Sequence, residues 1–311
     1  MTSSSAALRV EAAGIEFQNP VILASGTAGY GRELAGVMDL DVLGGLVTKA
    51  VSVEPRAGAP APRVAEFSGG MINAVGLANP GVEVVQREHL PWLAAHVQRA
   101  RVLVNVIGTT VDDFIAVISA LDGAPGVSAF ELNVSCPNVR HGGMEFGADP
   151  SVLADLVTQA RRAARRPLFV KLSPTLPDIA ATARVAVDAG ADGITVINTV
   201  PGLLIDVERR RPVLGFGTGG VSGPAILPVG VLATWKVSRA VNVPVMGVGG
   251  IASADDIVQY VLAGATLVGV GTAALQDPRL PERLVRALGA WCADHGVQTL
   301  KDVVGRLEWP A

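Results

Sequence analysis

Only two cysteines, Cys136 and Cys292, occur in the 311 residues, and no CxxC pair is among them. A zinc ribbon or an iron–sulfur cluster held by this chain is therefore not expected. Four histidines, His89, His96, His141 and His295, show no zinc-ligand spacing either, so no metal site is predicted. Aromatic residues make up 4% of the chain against 36 glycines, which points to a core of small and aliphatic side chains joined by tight turns. No apolar run approaches the ~20 residues of a membrane-spanning helix. The polar start "MTSSSAALRV" lacks the basic-then-apolar layout of a secretory signal. With no such signal, the two thiols are expected reduced in a cytoplasm rather than paired. Excess charge is scarce too: a net charge of -3 and a pI near 5.8 leave no footprint for nucleic acid or an anionic membrane.

What is present is half hydrophobic, at 50%, and strongly patterned. Short apolar, β-rich runs recur: "VILASG" (21–26), "GLVTKAV" (45–51), "VLVNVIG" (102–108) and "FELNVS" (130–135) come first. "LFVKLS" (168–173), "GITVIN" (193–198), "PVMGVGG" (244–250) and "LVGVGTA" (267–273) come after them. Most are apolar on both faces, as parallel strands covered by helices require. Helical stretches lie between them. Asp149-Pro150 opens one; Ser253 opens another, with an acidic first turn and Gly264 at its close. Eight strands alternating with helices predict a single (β/α)8 barrel over residues 1–311 rather than an open doubly wound sheet. Residues 8–20 alternate and turn near Gly14, which predicts a hairpin plugging the barrel bottom. Segments 52–80 and 200–224, rich in Gly and Pro, are too long for ordinary connections and are expected to be functional loops.

Chemistry in such a barrel collects at the C-terminal ends of the strands. Those ends carry Ser25, Lys49, Asn105, Asn133, Lys171, Asn198, Gly249-Gly250 and Gly271-Thr272. A lone strand-end asparagine usually caps a loop, and a lone lysine usually reaches solvent or pairs with an acid. Several asparagines and two lysines converging on one rim instead describe a site for a polar ligand, since buried amides and ammonium groups need partners. Asparagine offers an acceptor and donors together, which suits rings that alternate N–H and C=O, such as a pyrimidine or a flavin. Neither "LVTKAV" nor "LFVKLSP" supplies an acidic partner for its lysine. A fixed cation there can stabilise negative charge developing on a ring or carboxylate. "GVGGIAS" (247–253) does not complete GxGxxG. Together with "GVGT" (269–272) it suits a mononucleotide phosphate approached by backbone N–H groups.

The stretch "FELNVSCPNVRHGG" (130–143) leaves its strand at Ser135 and delivers Cys136 to the same rim. A cysteine in a strand is commonly inert filling. Here Pro137 and the glycines Gly142, Gly143 and Gly147 make a loop of residues 137–149, so Cys136 reads as a reagent on a lid. A thiol of ordinary pKa, ~8.5, can remove a carbon-bound proton as its thiolate.

Taken together, "FELNVSCPNVRHGG", "VKLSP", "MINAVGLANPG", "ITVINT", "GGVSG" and "GVGGI" resemble the FMN-dependent dihydroorotate dehydrogenases of class 1, in order over roughly residues 8–280. The HGG after the cysteine loop resembles class 1B, the catalytic subunit of the NAD-linked enzyme. The resemblance implies oxidation of (S)-dihydroorotate to orotate in pyrimidine biosynthesis, with Cys136 as base and Lys171 beside the flavin. It implies flavin contacts at Ser25, Lys49, Ala50, Asn105, Asn133, Lys171, Ile197, Gly223, Gly249, Gly250, Gly271 and Thr272. For orotate it implies Lys49, the run Asn73, Ala74, Val75, Gly76 and Leu77, then Asn133, Asn138, Asn198 and Thr199. The implied partners are a second copy of the chain and an electron-transfer subunit carrying FAD and a 2Fe–2S cluster, together a heterotetramer. Cysteine rather than serine at the base position argues against class 2, and no membrane-associating segment of that class is expected. Alternatives are the fumarate-linked class 1A enzyme, the pyrimidine-reducing domain of dihydropyrimidine dehydrogenases, or a flavin-binding barrel without catalysis.

Overall fold

A computed structural model describes residues 7–135 and 145–310. The chain opens with the hairpin β1 (Val10–Ala12) and β2 (Ile15–Phe17). Ala13 and Gly14 both take positive φ, 53° and 73°, as a two-residue hairpin turn of matching twist demands. The carbonyl of Glu16 accepts from Arg101 Nε at the first residue of β7 (Arg101–Val106). That contact seats the hairpin under the N-terminal end of the barrel, where the alternation of residues 8–20 put it.

Eight parallel strands close the barrel. They are β3 (Val21–Leu23), β4 (Gly45–Val47), β7, β8 (Val127–Asn133), β9 (Leu168–Leu172), β10 (Gly193–Val196), β15 (Val245–Val248) and β16 (Leu267–Val270), joined in that order. β3, β4, β9, β10, β15 and β16 are buried along their whole length, which is why they read as continuous apolar runs. Phe130, Phe169, Leu46 and Ile22 are among the fully buried side chains, each contributing ~1.5–3 kcal/mol on burial. Space for Phe169 is made by its lateral neighbour Gly193, where a Cβ would come within 2.4 Å of the ring. The flanking helices start where the sequence placed them. Asp149 accepts from the N–H groups of Ser151 and Val152 ahead of helix Pro150–Ala163. Ser253 and Asp256 form a reciprocal capping box on helix Ala254–Leu262. No helix among the described residues is long and apolar enough to cross a membrane.

The two long segments are not the irregular loops that their Gly and Pro content suggests. β5 (Val64–Phe67) and β6 (Gly70–Asn73) join β11 (Val200–Gly202) and β14 (Gly219–Ser222) in a four-stranded antiparallel sheet, ordered β11-β14-β6-β5. A smaller hairpin, β12 (Ile205–Asp206) with β13 (Arg211–Pro212), extends from it. The pairing of β6 with β14 joins segments far apart in sequence, so no local turn signal announces it. Close approach explains the glycines: a Cβ on Gly70 would lie 2.1 Å from the Ser222 carbonyl oxygen, and one on Gly219 would lie 2.6 Å from that of Asn73.

Candidate active site

Pairing register assembles the centre of the site. Asn133 on β8, Lys171 on β9 and Thr195 on β10 are lateral neighbours. Residues paired side by side in parallel strands share a face, so all three side chains lie in one row. Lys171 settles which face. Its Nζ donates to Ser25 Oγ at 3.1 Å, and Ser25 lies just past β3, four strands from β9 in either direction around the barrel. The side chain therefore crosses the barrel mouth, and the row faces inward. Lys171 is 5% exposed, and it makes no ion pair among the described residues. A buried ammonium with one neutral partner is under-satisfied. Beside it, Thr195 Oγ1 is buried with no hydrogen-bond partner among the described residues, as is Ser135 Oγ just past β8. Asn198 Nδ2 donates to Asn133 Oδ1 at 3.3 Å and brings the end of β10 into the same group.

Asn105 on β7 belongs one layer deeper. It pairs with Glu131, two residues before Asn133 on β8, and its Nδ2 donates to Glu131 Oε1 at 2.7 Å. Its backbone N–H donates to Thr48 Oγ1, which ties it to the end of β4. Ala50, just beyond, has its carbonyl held by the Tyr30 hydroxyl at 3.0 Å. Burial, and secondarily Glu33, pushes that phenol's pKa up, so it stays a donor. Lys49 is half-buried, and no described residue accepts from its ammonium.

The glycines gather on the opposite side, beyond β15 and β16. Gly249 and Gly250 both take positive φ, 134° and 74°, and the Tyr260 hydroxyl clamps the turn by donating to the Gly249 carbonyl at 2.7 Å. Gly271 faces open space, with nothing nearer than Thr27 Oγ1 at 3.9 Å from where a Cβ would sit. Thr272 Oγ1 donates to Ser222 Oγ at 2.8 Å, which draws Gly223 to the same place. Ile197 is buried between this group and the row, directly before Asn198.

The four-stranded sheet brings in the remaining predicted residues. Asn73, the last residue of β6, donates through Nδ2 to the Gly220 carbonyl, and a Cβ on Gly220 would collide with Thr199. Asn73 and Thr199 thus meet through β14, although 126 positions separate them in the numbering. The run Ala74, Val75, Gly76 and Leu77 turns back along residues 58–59, with Leu77 at φ 57°. Asn79 fastens that turn: its amide donates to Ser52 Oγ and the Leu77 carbonyl, and its Oδ1 accepts from the N–H groups of Ser52 and Gly81.

The roles of Thr195, Glu131, Asn79 and Ser222 are not visible in the sequence. Thr195 and Glu131 sit inside apolar strands, and only their register with Lys171 and Asn105 exposes them. Glu145 is another: burial pushes its carboxyl pKa up, against a hydrogen bond from Ser173, two residues past Lys171. Cys136 and Asn138 lie outside the described residues. Cys292, the other cysteine, is a free thiol buried in the core, and burial raises its pKa. Among the described residues no group of acids, histidines or cysteines has the arrangement of a metal site.

The assembled mouth offers two lysine ammonium groups, a set of amides and a glycine-lined exit. Such an arrangement suits a planar ligand rich in carbonyls, with an anionic tail. A dihydroorotate dehydrogenase family model matches residues 7–291. The chain is 46% identical over 301 residues to the dihydroorotate dehydrogenase B (NAD(+)) catalytic subunit of Pelobacter propionicus, covering 97% of this chain and 98% of that one. It is 45% identical over 299 residues to the Geobacillus kaustophilus protein of the same name, covering 96% and 95%. A match of this extent leaves one assignment: the chain belongs to the dihydroorotate dehydrogenase family.

Proposed function

We propose that this chain is the FMN-containing catalytic subunit of an NAD-linked dihydroorotate dehydrogenase, oxidising (S)-dihydroorotate to orotate in a cytoplasmic pathway of pyrimidine synthesis. The observation that carries the reading is Lys171, an ammonium buried at the barrel mouth with a serine hydroxyl as its partner. The residues fit FMN: a buried cation for an electron-rich ring edge, the amides of Asn105 and Asn133 for its carbonyl and N–H groups, and Gly249, Gly250, Gly271 and Thr272 for its phosphate. Ser25, Lys49, Ala50, Ile197 and Gly223 complete the cofactor set. Bound FMN would supply the hydride acceptor for C6 of the substrate.

The chain's own residues do the rest. Lys49, Asn73 to Leu77, Asn133, Asn138, Asn198 and Thr199 hold the substrate's carboxylate and its ring N–H and C=O groups. Cys136, as thiolate, takes the proton from C5, so that the electron pair of that C–H bond becomes the new C5=C6 π bond as hydride departs from C6. Lys171 would stand beside the bound ring, where a fixed cation stabilises negative charge. A partner subunit carrying FAD and a 2Fe–2S cluster would supply the route to NAD, two copies of each forming a heterotetramer around a homodimer of this chain.

Cys136→Ala tests the base: the variant is expected to bind FMN yet reduce it with dihydroorotate ~10²–10⁴-fold more slowly. Stopped-flow reduction at the wild-type rate would remove Cys136 from the chemistry. Turnover of the purified chain with fumarate, without a partner, would replace the NAD-linked assignment with the fumarate-linked one.

A further inference from the structure

Glu131 is an acid that the proposed chemistry leaves without a task. It lies on β8 two residues before Asn133, so its side chain faces the barrel interior, and it is 1% exposed. No described lysine, arginine or histidine pairs with it. An apolar residue would fill such a place at lower cost, because a buried carboxylate without a cation loses several kcal/mol of hydration. What it has is Asn105, buried to the same degree, whose Nδ2 donates to Glu131 Oε1 at 2.7 Å.

An asparagine amide can turn over, exchanging its donor and acceptor ends. A carboxylate has acceptors alone, so beside Glu131 one orientation survives: Nδ2 towards the acid, Oδ1 away from it. The hydrogen bond from the Asn105 backbone to Thr48 Oγ1 fixes the residue's other end at 3.2 Å. Among the described residues none donates to Asn105 Oδ1.

We propose that Glu131 is a positioning residue that locks the Asn105 amide with its carbonyl turned to the ligand, so that this position selects a ring N–H. The inference rests on the FMN reading above. Oxidised isoalloxazine carries a single N–H, at N3 between two carbonyls, and that is the donor an oriented acceptor takes. Glu131 touches neither cofactor nor substrate; it acts through Asn105.

The test is FMN binding to apoprotein, read by quenching of flavin fluorescence, with thermal melts to confirm folding. Glu131→Gln keeps the shape and can still accept, but it no longer forbids the turned-over amide. FMN should bind about tenfold more weakly, the difference between a charge-assisted and a neutral hydrogen bond. Asn105→Asp sets two carboxylates face to face and should weaken binding at least ~100-fold. Combining Asn105→Asp with Glu131→Gln reverses the polarity of the pair and restores its hydrogen bond. That double variant should return to within about tenfold of wild type, a rescue that a merely space-filling Glu131 would not give. Affinity of Glu131→Gln within about twofold of wild type, or a double variant no better than Asn105→Asp alone, overturns the proposal. If Asn105→Asp does not fold, the Glu131→Gln affinity decides. Wild-type apoprotein that takes up no FMN overturns the functional reading itself, a result distinct from these.

Discussion

The two ends of the barrel use the same residue types in opposite ways. At the N-terminal end, four polar side chains staple the approach of one strand to that of another. Asn19, ahead of β3, accepts from the N–H groups of Val21 and Gly44 and donates to the Val42 carbonyl ahead of β4. Asp41, ahead of β4, accepts from the N–H groups of Gln98, Arg99 and Ala100 ahead of β7. Asp122, ahead of β8, accepts from the N–H groups of Arg165 and Arg166 and the Arg165 guanidinium ahead of β9. Asp192, ahead of β10, accepts from Leu168 N–H and pairs with Arg161. At the C-terminal end, Lys171 has one neutral partner, while Thr195 Oγ1 and Ser135 Oγ have none among the described residues. Polar groups saturated within the chain stabilise the fold; those left short at this rim are free to take a ligand.

The contrast predicts that substitutions at the two ends separate stability from binding. The largest effect is expected for Lys171→Met, which should weaken FMN binding and slow flavin reduction by ~10²–10³-fold. Its apoprotein should melt no lower than wild type, because an uncompensated buried charge has been removed. A substantial loss of apoprotein stability would erase the distinction. Asn19→Ala is the mirror image. It strands buried backbone groups and should cost roughly 3 kcal/mol in urea unfolding, with FMN affinity unchanged.

Acid should act on the lower end. Burial opposes the charge of Asp41, but hydrogen bonds from three backbone N–H groups outweigh it and hold the carboxyl below its ordinary value. Asp122 is held low in the same way, burial being outweighed by the Arg165 side chain and two backbone N–H groups. A folded pKa below the unfolded value, ~3.9 for Asp, means stability fully present above that pH and lost as pH falls through the folded value. Urea midpoints should therefore drop below about pH 4, and Asp41→Asn should flatten that drop while lowering the neutral-pH midpoint. The smallest effect is expected for Thr195→Val, which replaces an unpartnered hydroxyl with a methyl of the same shape. Apoprotein stability should stay level or rise by up to ~1 kcal/mol, and a clear fall would mean the hydroxyl is already bonded.

Much of the upper end is legible in the sequence because a polar residue after a run of Val, Leu and Ile is conspicuous. Lys171 in "LFVKLS" and Asn133 in "FELNVS" announce themselves that way. The lower end is silent: Asn19 and Asp41 lie in connections where polar residues are expected, and their partners ahead of the next strand stand 23 to 59 positions away. The sheet formed by β5, β6, β11 and β14 is hidden for a related reason, since its glycines mark close strand approach as readily as they mark a loop. Glu131 stands in plain view in "FELNVS", yet its meaning depends on a neighbour 26 positions earlier.

Local pattern alone determined the alternation of strand and helix, the barrel, the helix starts at Asp149 and Ser253, and the residue types gathered at the rim. Those are one-dimensional signals, set by burial on both strand faces and by the capping of exposed N–H groups. Tertiary structure decided which of those residues meet. Barrel closure sets Lys171 against Ser25 from opposite sides, and strand register puts Thr195 beside Lys171 and Glu131 beside Asn105. Such juxtapositions depend on which distant segments pair and in what phase. In a parallel sheet a shift of one residue turns every side chain to the other face, and no single strand carries that phase by itself.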